Sequence, residues 1–122
     1  MSQLILIVDD NENNRKLARD VLELAGFSTV EATGGVEGVA LAMEHKPDLV
    51  LMDIRMPDLN GTEALKLLRE DSRTAEIPIV ALTSSTMRGD EQRFLAEGFD
   101  GYLAKPISVR EFPDQVRGFL RE

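Results

Sequence analysis

Asp53 closes the run LVLMD, in which four apolar residues lead straight into one carboxylate, and a loop holding Pro57, Asn60 and Gly61 follows. The acid pair Asp9-Asp10 closes a second apolar run, Thr83 a third, and Lys105 follows a shorter one. Singly, each has an ordinary reading: an acid at a helix dipole, a threonine bonding its own backbone, a solvated amine. Together they are three carboxylates, a hydroxyl and an amine, each placed just past an apolar stretch. Like charges about 4 Å apart repel by ~1 kcal/mol in water and by ~4 kcal/mol at an effective dielectric of about 20, so a carboxylate trio invites a cation. Hard oxygen donors without Cys or His suit Mg2+, with Mn2+ as a substitute; Mg2+ keeps several waters and needs few carboxylates beside a substrate phosphate. A carboxylate is also a nucleophile toward phosphorus. Phosphoryl transfer asks mainly for alignment and charge neutralisation, which the cation and Lys105 supply while the Thr83 hydroxyl bonds a phosphoryl oxygen.

The elements that must position these groups alternate between two periods. Gln3–Val8 reads as an apolar strand, followed by a polar turn and a helix to about Ala25 with Leu17, Ala18, Val21, Leu22 and Ala25 on one stripe. Gly26 is a C-terminal stop. Ser28–Ala32 alternates, as a half-exposed edge strand does, and a helix to His45 carries Val36, Val39, Ala40 and Met43 on one face. Leu49–Asp53 is continuously apolar up to its acid. Asn60 and Glu63 form a capping-box-like start for a helix burying Ala64, Leu65 and Leu68. Ile77–Thr83 is another apolar strand. A charged helix over Arg88–Glu97, a short strand at Gly101–Ala104, and a helix opening at Ser108 and burying Phe112, Val116, Phe119 and Leu120 complete the chain.

Strands alternating with helices imply an α/β fold with parallel pairing and right-handed crossovers. The three apolar strands belong in the centre and the alternating and short ones at the edges. The doubly wound order 2-1-3-4-5 meets this condition for a five-stranded sheet. In that order the first and third strands lie side by side, so Asp9, Asp10, Asp53, Thr83 and Lys105 all gather at the carboxyl edge, where ligands of such sheets bind.

Bulk properties narrow the function. The chain has 122 residues, one domain on the usual size prior, and a hydrophobic fraction of 43% argues against disorder. A net charge of −8 argues against nonspecific nucleic-acid binding. The absence of cysteine excludes disulfides and thiolate zinc sites, and His45 as the one histidine excludes a His-rich metal site. No apolar run is long enough for a membrane span or a signal peptide, so the expectation is a soluble, cytoplasmic protein without membrane insertion.

Asp9-Asp10, Asp53 with Pro57 and Gly61, Thr83-Ser84, and Tyr102 with Lys105-Pro106 resemble the receiver domain of bacterial two-component response regulators, over essentially the whole chain (1–122). That resemblance implies a flavodoxin-like receiver fold and a signalling switch rather than an enzyme, one that assists its own phosphorylation and dephosphorylation. It makes Asp53 the phosphoacceptor, supplied by a phosphohistidine of a sensor histidine kinase or a histidine phosphotransfer protein. Asp10 and Asp53 resemble the Mg2+ ligands, joined by the main-chain carbonyl of Arg55, with Asp9 acting through metal-bound water. Lys105 is similar to the phosphate-contacting lysine, with a cis bond to Pro106. Thr83 and Tyr102 resemble the switch pair, read out by a protein target at the fourth helix, fifth strand and fifth helix. Arg55 and Ser85 fall at variable positions flanking the path of attacking water, where Arg55 pairs with Glu12 or covers the phosphate. The end of the chain after the fifth helix, with no output domain, and the opening Met87–Glu91 are similar to the stand-alone DivK-type cell-cycle regulators.

Two other readings share parts of this pattern. A phosphatase of the haloacid-dehalogenase type also uses an aspartyl-phosphate, but wants a second acid where Arg55 stands. A flavodoxin-like flavin binder wants a Gly/Ser/Thr-rich phosphate cradle where this chain has the acidic turn after Val8.

Overall fold

The computed structural model describes residues 3–83 and 89–120, and at 90 and 91 the backbone alone. Its elements run β1 (Leu4–Val8), α1 (Glu12–Leu24), β2 (Ser28–Ala32), α2 (Gly35–His45), β3 (Leu49–Asp53), α3 (Gly61–Glu70), β4 (Ile79–Thr83), α4 (Asp90–Glu97), β5 (Gly101–Ala104) and α5 (Phe112–Phe119). The strands form one parallel sheet in the order β2-β1-β3-β4-β5, as the hydrophobic patterning requires. Every residue of β3 and β4 is buried, whereas β2, at the edge, buries only Ala32.

Strand periodicity divides the core into two layers. Leu6, Val8, Val50, Met52, Ile79 and Ala81 face one side and pack under α2, α3 and α4. Ile5, Ile7, Leu49, Leu51, Val80 and Leu82 face the other, under α1 and α5. The sheet is thus covered on both faces, and its carboxyl edge is left for side chains that the core cannot hold.

Helix ends follow local chemistry. The Asn11 side chain accepts from the Asn14 N–H at 3.1 Å and starts α1; Asn60 accepts from the Glu63 N–H at 2.9 Å and starts α3. Gly26 takes φ 98° just past α1, a left-handed conformation that suits glycine.

The structure corrects several sequence expectations. The buried face of α2 is Gly35, Gly38 and Ala42, not Val36, Val39, Ala40 and Met43; Val36 is 61% exposed and only Val39 and Met43 are half-buried. The reason is closeness: a Cβ on Gly38 would lie 2.8 Å from both Val8 methyls, so α2 approaches β1 through its small residues. Leu17, assigned to the stripe of α1, is 38% exposed. β4 begins at Ile79 rather than Ile77, because Ile77 N–H closes a turn onto Thr74 and Pro78 has no N–H to give. Regular α5 begins at Phe112, not Ser108. Ser108 does cap the preceding turn, its hydroxyl accepting from Glu111 N–H at 3.3 Å, but Pro113 removes the next ladder bond and delays the helix. β1 starts one residue late, at Leu4. The expected start of the fourth helix, Arg88, lies outside the described residues.

Candidate functional site

Asp9 follows β1 and is 1% exposed. Its N–H donates to Ala32 O at 3.1 Å, extending the β1–β2 ladder by one step. Its Oδ1 accepts from Asn11 N–H at 2.9 Å, and its carbonyl accepts from Arg15 Nη1 at 2.8 Å. Arg15 in turn faces Glu31 of β2 at 3.4 Å. Asp9 is therefore held by two main-chain bonds and one side-chain bond, while the neighbouring Asp10 is exposed. Asp53 is the last residue of β3 and 6% exposed. Its Oδ1 accepts from Arg55 N–H at 3.3 Å. The loop beyond is closed by Gly61, whose N–H donates to Ile54 O at 2.9 Å and whose Cβ, if present, would lie 2.6 Å from Asp53 O. Only glycine permits that approach.

Thr83 ends β4 and is buried. Lys105 follows β5; its N–H donates to Thr83 O at 2.7 Å and it precedes a cis bond to Pro106, as the resemblance implied. Its Nζ lies 2.8 Å from Asp9 Oδ2 and 3.3 Å from Asp53 Oδ2. One ammonium thus bridges the two buried acids. Tyr102, on β5, is half-buried, with its ring centroid 6.2 Å from that of Phe94 on α4.

The structure therefore brings Asp9, Asp10, Asp53, Thr83 and Lys105 to one edge. Arg55 is exposed, and no ion pair between it and Glu12 forms among the described residues. Ser85 lies outside the described residues, as do Ser84, Met87 and Arg88. His45 is exposed at the end of α2, away from the cluster.

Charge is out of balance here. Burial, and then the neighbouring Asp9 carboxylate, push the Asp53 carboxyl up to about 6, against the opposing pull of Lys105 and the Arg55 N–H. One oxygen from each of Asp9, Asp10 and Asp53 lies within 4.8 Å of the others. Opposite ligands of an octahedral Mg2+ are about 4 Å apart at its usual bond length, so this hard, all-oxygen set fits that ion with little movement.

Residues 5–117 match the response regulator receiver domain family. The chain belongs to that family. As a receiver it is a signalling switch in two-component phosphorelays. The polar-differentiation response regulators DivK of Brucella anthropi and Brucella ovis are each 42% identical to it, over 98% of both chains. Among solved structures, the chemotaxis protein CheY4 of Vibrio cholerae superposes with a TM-score of 0.91 at 29% identity, covering 98% of this receiver and 100% of that chain. The receiver domain of a Pseudomonas aeruginosa sensor histidine kinase, determined with a magnesium ion in its active-site cleft, superposes with a TM-score of 0.88 at 31% identity, covering 98% of each.

Two contacts of the receiver's edge were not legible in sequence. Arg15 reaches back one turn of α1 to hold Asp9. Asp58, in the loop after β3, bonds the start of α2, and nothing local announces that partner. A bare Asp in a turn reads as a turn former.

Proposed function

We propose that Asp53 is the phosphoacceptor of this receiver. Support comes chiefly from one observation: Lys105 Nζ spans Asp9 and Asp53 at 2.8 and 3.3 Å, within a carboxylate cluster that matches the donor set of Mg2+. An Asp53 carboxylate oxygen attacks the phosphorus of a phosphohistidine carried by a histidine kinase or phosphotransfer protein. The new bond is O–P, the N–P bond breaks, and the electron pair leaves on the imidazole, which takes up a proton. Asp10, Asp53 and the Arg55 carbonyl would hold Mg2+, with Asp9 acting through water, and the ion would offset the charge of the phosphoryl oxygens. Lys105 exchanges its contact with Asp53 for one with the phosphoryl group, and the Thr83 hydroxyl donates to another of its oxygens.

Thr83 and Tyr102 form the switch. The threonine turns toward the phosphoryl group, the Tyr102 ring shifts against Phe94, and the face made by α4, β5 and α5 changes its affinity for a protein target. Arg55 and Ser85 govern water access and thus the lifetime of the aspartyl-phosphate. We place the protein in the cytoplasm; none of its described helices is long and apolar enough to cross a membrane.

The deciding experiment is intact-mass analysis after mixing with a small phosphodonor and Mg2+. Wild type gains one phosphoryl group and Asp53→Asn gains none; equal labelling of both overturns the assignment. Shortening Arg55 to Ala leaves labelling intact and changes the decay rate severalfold, and an unchanged decay removes Arg55 from the water path.

A further inference from the structure

Asp58 lies five residues beyond the phosphoacceptor and is solvent-exposed, yet it makes an unusual set of bonds. Its Oδ1 accepts from Gly35 N–H at 3.1 Å and its Oδ2 from Val36 N–H at 3.2 Å. Oδ1 also accepts from Leu59 N–H at 2.8 Å. Gly34, the residue capping α2, has no side chain to offer, so the first-turn donors of α2 are met from a residue 23 positions away. The Val36 and Gly35 N–H groups accordingly hold the Asp58 carboxyl below its ordinary range.

The joint is also close-packed. A Cβ on Gly35 would lie 2.4 Å from Leu59 O, and one on Gly34 would lie 2.8 Å from Asp58 Oδ1. On its far side α2 rests on Val8 through Gly38, immediately before Asp9. The loop after β3 is thus fastened to a helix seated on the end of β1. Between Asp53 and Asp58 that loop carries Arg55, whose N–H already holds Asp53 Oδ1.

We infer that Asp58 is a positioning residue for the divalent-cation site: its bond to the start of α2 holds the loop that presents the Arg55 carbonyl at the distance from Asp9 and Asp10 that the cation needs. This inference rests on the proposed Mg2+ site. A free loop spreads over many conformations, few of which bring its carbonyl to the acids, so the competent fraction and the affinity fall together. By linkage, bound Mg2+ tightens the joint by the factor by which the joint tightens Mg2+.

Calorimetric Mg2+ titrations of wild type, Asp58→Ala and Asp58→Asn test this, with melting temperatures measured in EDTA on the same samples. The alanine variant raises the Mg2+ dissociation constant about tenfold, equivalent to about 1.4 kcal/mol. The asparagine variant, which keeps one acceptor oxygen, raises it less, and serves as the test if the alanine variant does not fold. Mg2+ slows hydrogen exchange at the Gly35 and Val36 amides in wild type but not in Asp58→Ala. A lowered melting temperature with a dissociation constant within about twofold of wild type would make Asp58 a helix cap only and overturn the inference. A wild type that binds no Mg2+ at millimolar concentration removes the site itself, and the proposed chemistry with it.

Discussion

The two ends of the sheet use the same kinds of residue to opposite effect. At the amino edge, Arg69 of α3 donates from Nη1 to Ala75 O and Ile77 O at 3.1 and 2.7 Å, and from Nη2 to Gly98 O and Asp100 Oδ2 at 3.1 and 2.7 Å. Asp100 Oδ2 accepts in addition from Ile79 N–H, at 2.7 Å. One acid meets one base, and the backbone groups at the starts of β4 and β5 are drawn into the same network. At the carboxyl edge three acids lie together, two of them sharing Lys105, and Asp53 is left with its proton affinity raised. The amino edge is matched and stabilises the fold. The carboxyl edge is mismatched, which costs stability and leaves a demand for positive charge that a divalent cation meets.

The contrast is tested most severely at Arg69. Arg69→Ala removes the donor to the Ala75, Ile77 and Gly98 carbonyls and takes the guanidinium from Asp100, whose Oδ2 keeps the Ile79 N–H; a buried pair broken on one side costs about 3–5 kcal/mol, and this pair is partly exposed. Chemical denaturation should show a loss of about 2–4 kcal/mol, with Mg2+ affinity unchanged in the folded fraction. A loss below 1 kcal/mol, on the scale of about 0–1 kcal/mol typical of exposed pairs, would erase the difference between the edges.

The next effect has the opposite sign. In EDTA at neutral pH, Asp53→Asn removes one of the crowded charges and should stabilise the protein by about 1–2 kcal/mol, raising the melting temperature by roughly 4–8 °C. The same group sets a pH dependence. Because the Asp53 carboxyl titrates near 6 when folded and near 4 when unfolded, folding takes up a proton in between. Its contribution is full below about pH 4 and is lost as pH rises through about 6. Cation-free wild type should therefore lose up to about 2 kcal/mol across that window relative to Asp53→Asn, at 1.36 kcal/mol per pH unit before hydration of the open edge is allowed for. Saturating Mg2+ should abolish the decline. Parallel stability curves for the two proteins would show that the carboxyl edge is not strained.

The smallest effect is a control. Arg117 and Asp114 form an exposed ion pair at 2.8 Å on α5. Asp114→Ala should leave the melting temperature unchanged within error, showing that an exposed ion pair by itself does not account for the amino edge. A drop comparable to that of Arg69→Ala would contradict this.

Much of the molecule was written in local sequence. Continuous apolar runs marked β3 and β4 as central, alternation marked β2 as an edge, and a polar residue at the end of each run put Asp9, Asp53, Thr83 and Lys105 at one edge, because parallel strands all point the same way. Gly26 and Asn60 marked helix ends because capping involves groups only a few residues apart. What tertiary structure alone decided is the matching of groups far apart in sequence. Apolarity at helical spacing assigned α2 the wrong face, since close approach to Val8 selects for small side chains rather than greasy ones. The Arg69–Asp100 network spans 31 positions and the Asp58 joint 23. Charged residues in turns carry no local sign of a distant partner, because their energetics are fixed only once folding removes water and brings the partner within hydrogen-bonding distance.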